Sequence, residues 1–327
     1  MNTIADDRNH IQETVDRDID LSNKIKKLSE ASLNELTNIL SKLMNSNSSD
    51  GKIDPLMLSK LPNNKDRQVI VDIVDEIQDV SDENVYNLIN GAGKNFKKSY
   101  SAYILALITV SYASLLNNTN NLQIDYAKQE NNSEFDYLID NKEDKKAAQL
   151  VKEPQFKLID DDREDLLGNN FYATQQAINT TFAKVSSSVK KSDKLTEFYA
   201  ILGISSVAKA IINTGDANHT HIKRPIPKTI NGDYSRLNAS YMRNYRTATA
   251  VWDSNLKRTL AKYWHIDQAI IVNENLPCDL CRTKINVLMS VESATAYVPL
   301  HPSCRCEVRL MSNEEANGFD DVDEDEK

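Results

Sequence analysis

The chain is short of the residues that make turns and cross-links. Its 327 residues include only eight glycines, eight prolines and four cysteines. Turn-rich all-β architectures consume more Gly and Pro than this, so the shortage predicts a mainly helical fold. Nothing in Met1 to Asp20 resembles a leader sequence, since charged and polar groups stand where an apolar core is expected. Long hydrophobic runs are absent too. The longest, Ala102 to Leu116, is interrupted by Thr109, Ser111 and Ser114, and it falls short of the roughly 18–20 residues that a membrane span requires. These absences predict no membrane association and synthesis in a reducing cytoplasm, where clustered thiols hold metal more often than disulfides.

What is present is unevenly distributed. Asn313 to Lys327 contains eight acids and one lysine, so this tail carries −7 of the formal −9. A strongly acidic end of this kind reads as solvated and disordered. Apolar residues recur at helical spacing through Leu21, Ile25, Leu28, Leu33, Leu36, Leu40 and Leu43, which predicts an amphipathic helix over about 21–44. Asn45 to Gly51 is a run of turn formers that ends it. Further helical patterns run from Arg67 to Val80 and from Ser99 to Leu116, the latter expected to stop at Asn117-Asn118-Thr119-Asn120-Asn121. Polar sequence follows to about Asp165. Helical periodicity resumes from Gly168 to Ile212 and again from Leu237 to Tyr263. Gln268 to Val272 and Ala296-Tyr297-Val298 read as short strands.

The expected architecture is therefore mainly α, an elongated helical body with a small C-terminal α+β module. The expected divisions are a helical region over 1–116, a polar connector over 117–165, a second helical part over 166–265, a metal-stabilised module over 266–312 and the acidic tail over 313–327. At this length one large or two ordinary domains can each bury a core.

All four cysteines lie in one short span: Cys278 and Cys281, then Cys304 and Cys306, with His301 just before the second pair. Cys-x-x-Cys is the spacing of a zinc knuckle, in which a tight turn aims two thiolates at one ion. Nineteen residues separate Cys281 from His301, enough for an excursion that returns to the same ion. Tetrahedral zinc takes four of the five groups Cys278, Cys281, His301, Cys304 and Cys306. The preferred set is Cys278, Cys281, His301 and Cys304, with Cys306 next in line. Disulfides and metal-free buried thiols are the competing readings, although a Cys304–Cys306 bridge is strained at that separation. Four protein ligands leave no place for water or substrate, so such a site is structural.

At these residues the sequence resembles the Mu F-like head morphogenesis, or minor capsid, proteins of tailed bacteriophages. The resemblance rests on Arg246-Thr247, Ala269-Ile270-Ile271-Val272, Cys278/Cys281 and Pro299-Leu300-His301-Pro302-Ser303-Cys304-Arg305-Cys306. It covers about Gly168 to Leu310, and the final octet is its most specific part. Two positions depart from the family pattern: Ala248 replaces an acid, and Lys284-Ile285-Asn286-Val287 replaces an Asp-Gly turn. The resemblance implies a non-enzymatic virion protein, assembled in the bacterial cytoplasm and placed in the head interior or at the portal vertex. The implied partners are the portal protein, the major capsid or scaffold protein, and packaged DNA.

Nine Lys/Arg face two acids between Ala217 and Trp264, with Tyr234, Tyr241, Tyr245 and Trp252 interleaved. Cations suit phosphates and aromatic faces stack on bases, so Lys223, Arg224, Lys228, Arg236, Arg243 and Arg246 are candidate DNA contacts. A solvated helix face with core aromatics is the plainer explanation. An alternative function follows from the basic stretch: a zinc-containing DNA-binding protein acting in packaging or regulation. His219-Thr220-His221 reads as an exposed loop, Gly91-Ala92-Gly93-Lys94 lacks phosphate-loop spacing, and Asp160-Asp161-Asp162 reads as solvated. No nucleophile–base pair and no metal set with an open position is found, which argues against an enzyme.

Overall fold

The computed structural model describes residues 4–46, 48–49, 52–53, 100–142, 163–185, 230–273, 279–301, 304 and 306–319. They form helices α1 (Ile4–Ser46), α2 (Tyr100–Lys142), α3 (163–185) and α4 (Ile230–Trp264), a hairpin of β1 (Ser48–Ser49) and β2 (Lys52–Ile53), and a C-terminal module. That module comprises β3 (Gln268–Val272), α5 (Asp279–Arg282), β4 (Met289–Ser290), α6 (Val291–Tyr297), β5 (Glu307–Met311) and α7 (Asn313–Asn317). The described chain is mainly helical with a small strand-and-helix region at its C-terminal end, as the shortage of turn residues predicts. Among the described residues no helix is long and apolar enough to cross a membrane.

The chain divides into two compact units, each gathered from several segments. One contains Asn23–Asn120 and Gly168–Tyr241. Within it Ile25, Leu36 and Leu40 of α1 are buried, as are Ile108, Tyr112 and Leu116 of α2 and Ile230, Tyr234, Leu237 and Tyr241 of α4. Helix α3 buries Asn170, Thr174, Ile178, Thr181 and Val185, a stripe at helical spacing that is mostly polar. Those polar groups are matched across the helices. Tyr112 Oη lies 2.9 Å from Thr181 Oγ1, Tyr241 Oη 2.7 Å from Thr174 Oγ1, and Asn170 Nδ2 donates to Asn120 Oδ1 at 2.8 Å. Buried polar groups are tolerable when paired in this way.

The Asn117–Asn121 run does not end its helix; α2 continues through it to Lys142. Thr119 and Asn120 are buried, and the Asn170–Asn120 bond holds one of them in a tertiary contact. Packing outweighs a helix propensity deficit of a few tenths of a kcal/mol per residue. The stretch 117–142 is thus helix rather than a loosely packed connector. The expected helix over Arg67 to Val80 lies outside the described residues.

The second unit contains Met1–Ser22, Asn121–Leu167 and Met242–Lys327. Here α4 packs Leu256 and Leu260 against Phe135 of α2. The helix stops at Trp264 without a glycine: His265 takes the left-handed conformation at φ 53°, and Ile266 N–H donates to Ala261 O at 2.9 Å. This is the six-to-one closure of a Schellman motif, and it delivers the chain directly into β3.

Strand β3 is the centre of an antiparallel sheet of order β4-β3-β5, with Ile271 opposite Val308 and Ala269 opposite Leu310. The sheet, α6 and the end of α4 share one core that includes Ile271, Val291, Ala294, Cys281, Cys304 and Cys306. Two expectations change in this module. Ala296 and Tyr297 lie in α6, not a strand, because Ser290 caps that helix by accepting from Ser293 N–H. Asn313–Asn317, expected to belong to a disordered tail, is helix α7, closed by a reciprocal Ser312–Glu315 capping box. Residues 320–327 lie outside the described set.

Candidate metal centre

Three structural turns bring the ligand candidates together. Short α5 buries Cys281 while leaving its neighbour Leu280 exposed, and Lys284 N–H closes on Cys281 O at 2.9 Å. The next residues turn back through Asn286, at φ 57°, whose N–H donates to Ile271 O. Asparagine is among the few residues that adopt this left-handed conformation readily, so Asn286 makes the turn without a glycine. Further on, Cys304 N–H donates to His301 O at 3.0 Å, setting those two side chains on one turn.

The resulting geometry fits a metal ion. Cys281 Sγ is 3.3 Å from His301 Nε2 and 3.9 Å from Cys304 Sγ, and the three ligand atoms lie within 4.8 Å of one another. Tetrahedral bonds of about 2.3 Å to sulfur and 2.0–2.1 Å to nitrogen place ligand atoms about 3.8 Å (S···S) and 3.6 Å (S···N) apart. The observed spacings bracket those values.

Cys306 is not part of that trio. It is buried, and its sulfur accepts a hydrogen bond from Asn273 Nδ2 at 3.3 Å. Its thiol hydrogen bonds toward Cys304, which pulls the Cys304 thiol down to about 5 and pushes Cys306 up; the backbone N–H groups of Cys306 and Leu300 also favour a Cys304 thiolate. The thiolate is the form of cysteine that ligates metal. Cys278, the remaining member of the preferred set, lies outside the described residues.

The candidate DNA contacts are placed differently from one another. Lys223, Arg224 and Lys228 lie outside the described residues. Arg243 is exposed, and Arg236 is exposed while pairing with Asp233. Arg246 is largely buried, its guanidinium gripping Asp18 with Nε at 3.0–3.1 Å and an Nη at 2.8 Å. Tyr234, Tyr241, Tyr245 and Trp252 are all buried, so their faces are core surfaces. His219, His221, Gly91 to Lys94 and Asp160 to Asp162 also lie outside the described residues.

Sequence reasoning missed a buried charged network beside the thiols. Lys257 Nζ sits 3.1 Å from Glu134 Oε1 and 3.0 Å from Asp253 Oδ2, and Glu134 Oε2 is 2.5 Å from His10 Nε2. The His10 ring stacks on Tyr137 with centroids 4.1 Å apart. Burial opposes charge on Glu134, but Lys257 and then His10 overcome it and hold the carboxyl down at about 2. Burial dominates at Asp253, raised to about 6, and at Glu130 and Glu307, both raised to about 7. The only signal available beforehand was the position of Lys257 and Asp253 on the apolar face of a helix.

No protein-family model, curated protein or solved structure matches the chain. The fold and the Cys/His geometry therefore carry the functional argument.

Proposed function

We propose that the chain is a non-enzymatic head-assembly protein of a tailed phage, a minor capsid protein acting at or near the portal. In this reading its C-terminal module is locked by one structural zinc. The observation that carries the reading is the octet Pro299 to Cys306, whose His301 and Cys304 converge with Cys281. Cys278 supplies the fourth ligand, and the ion replaces apolar contacts that so small a module lacks. A full tetrahedral shell supplies folding energy and no Lewis-acid position, which is why no reaction is assigned to it. The helical body is the docking element, and the portal and the capsid or scaffold protein are its partners.

The alternative, a zinc-containing DNA-binding protein, draws on exposed Arg236 and Arg243. With the four aromatics buried, any such contact is made to phosphates and falls steeply with salt. One experiment separates the readings: co-expression with the portal, terminase and scaffold reading frames next to the gene, followed by mass spectrometry of purified heads. Recovery in heads supports the assembly role. A regulatory gene neighbourhood, with the chain absent from particles, sinks it.

A further inference from the structure

Within the unit that carries the thiols, α1, α2, α4 and the ends of β3 and β5 line a partly open cavity of about 100 Å³. Glu130, Asn131, Asp253 and Glu307 line it, with Tyr245 and Trp252 as aromatic wall. Most nearby cations are committed elsewhere, and Arg17, bonded to Ser133 and Thr14, acts on Glu130 only from beyond ion-pair distance. Lys257 and His10 serve Glu134 and one oxygen of Asp253, and Arg246 serves Asp18. Glu130 receives only the neutral Tyr245 hydroxyl, at 2.7 Å. Among the described residues neither Glu130 nor Glu307 has a cation at ion-pair distance. Asp253 Oδ1 is buried with no hydrogen-bond partner.

A second observation is independent of these acids. Asn131 is 9% exposed, lines the same cavity, and its Nδ2 has no partner. The cavity thus presents acids that lack a cation partner together with one buried, unused donor. Water fills hydrogen-bonding sites, but it leaves the carboxylates uncompensated in a poorly solvated place, which is costly. A bare metal ion does not match either. Ligand atoms on one ion lie within about 5 Å of one another, and the Cys281, His301 and Cys304 group is the one Cys, His, Asp and Glu set that converges so closely among the described residues. A polyatomic cation, with several N–H groups directed to separated acceptors, spans what an ion cannot.

We propose that this cavity binds the ammonium group of a small amine that also carries a hydrogen-bond acceptor. The ammonium meets Asp253 Oδ1, Glu130 and Glu307; the acceptor meets Asn131 Nδ2; Tyr245 and Trp252 add aromatic surface suited to a cation. The raised carboxyls of Glu130 and Asp253 fit a site whose counter-ion comes from outside the chain. A free amino alcohol carries both groups; a lysine side chain of another protein, which has no acceptor beside its ammonium, is the competing source that the test separates. This site does not depend on the head-assembly reading.

The test uses the full chain loaded with zinc, in amine-free phosphate buffer at constant ionic strength. Ethanolamine, ethylammonium and Nα-acetyl-lysine methylamide are titrated separately, with thermal midpoint and ligand-detected NMR as readouts and zinc content followed in parallel. Ethanolamine raises the midpoint saturably at millimolar concentration, and sodium or tetramethylammonium chloride does not. Ethylammonium binds several-fold more weakly, a preference that Asn131→Ala abolishes. Glu130→Gln, which keeps an acceptor for Tyr245, weakens ethanolamine roughly tenfold. Stronger binding of the lysine derivative than of ethanolamine identifies a protein side chain as the source, and the reverse identifies a free amine. No saturable binding by any of the three overturns the site, as does binding that neither Glu130→Gln nor Asn131→Ala alters, or a midpoint shift that tracks zinc loss.

Discussion

The sulfur of Cys281 stands 3.3 Å from Nε2 of His301, twenty residues further along the chain. Such an approach brings a soft donor and an imidazole within about 0.3 Å of the separation they hold on one tetrahedral ion. Purified protein is therefore expected to carry about one zinc per chain, the stoichiometry of a single structural site. Cys281→Ser removes one of the converging thiolates. It is expected to abolish stoichiometric zinc and to unfold the module from β3 to β5 while the long helices persist. Elemental analysis and circular dichroism in the far and near ultraviolet check both parts. A zinc-free protein with an intact module removes the metal reading.

The two sulfurs at the end of the octet are expected to differ. Cys304 belongs to the trio, whereas Cys306 lies outside it, accepting from Asn273 and hydrogen bonding toward Cys304. Cys304→Ala should lose the ion, whereas Cys306→Ala should keep it and lose only buried packing, a cost of about 1–2 kcal/mol. Competition against a chromogenic chelator ranks the two variants. Equal loss from both means that Cys306 is also a ligand.

The thiol trio was legible because its spacing is a local sequence signal: a Cys-x-x-Cys, then His301 and Cys304 with two residues between them. Strand β3 was legible from its apolar run, and α4 and the later part of α1 from periodic apolar residues, whereas the polar first turns of α1, from Ile4 to Asp20, carry no such stripe. What was not legible depends on residues distant in sequence. Asn120 stays helical because Asn170 bonds it, and nothing near Asn120 announces that partner. Strand β5 alternates Glu307 and Arg309 with Val308 and Leu310, so its charge hid its place in the sheet. The ion network joins His10, Glu134, Asp253 and Lys257 from three helices, and only packing brings such residues together.

That network makes Lys257 the most sensitive single charge in its unit. Its side chain is 4% exposed and neutralises both Glu134 and Asp253. Burial disfavours its charge, but Asp253 and Glu134 outweigh that and keep it protonated. Lys257→Met keeps most of the volume and leaves two acids without their shared cation. A destabilisation of about 3–5 kcal/mol is expected, the usual consequence of removing one partner from a buried pair. Urea denaturation checks it, and a loss under about 1 kcal/mol would mean that the network is solvated.

Glu130 makes stability depend on pH in a direction opposite to that of Glu134. Burial raises its carboxyl to about 7, against the pull of Tyr245 and Arg17 and with a further push from Asp18 and Asp253. Between the ordinary carboxyl value and 7 the unfolded chain has lost this proton while the folded chain retains it. Folding therefore weakens as pH rises through that window and reaches its full cost above 7. Glu134, held down at about 2, contributes stability above the ordinary value that is lost only as pH falls toward 2. Glu130→Gln removes the first effect and leaves the second. Relative to the unsubstituted protein, the variant should match it near pH 4.5 and gain on the order of 2–3 kcal/mol by pH 8. Urea denaturation of both proteins in amine-free buffer reads the difference, in which shared effects of pH on thiols and metal cancel. A difference that stays flat from pH 5 to 8 means that Glu130 ionises as freely in the folded protein as in water.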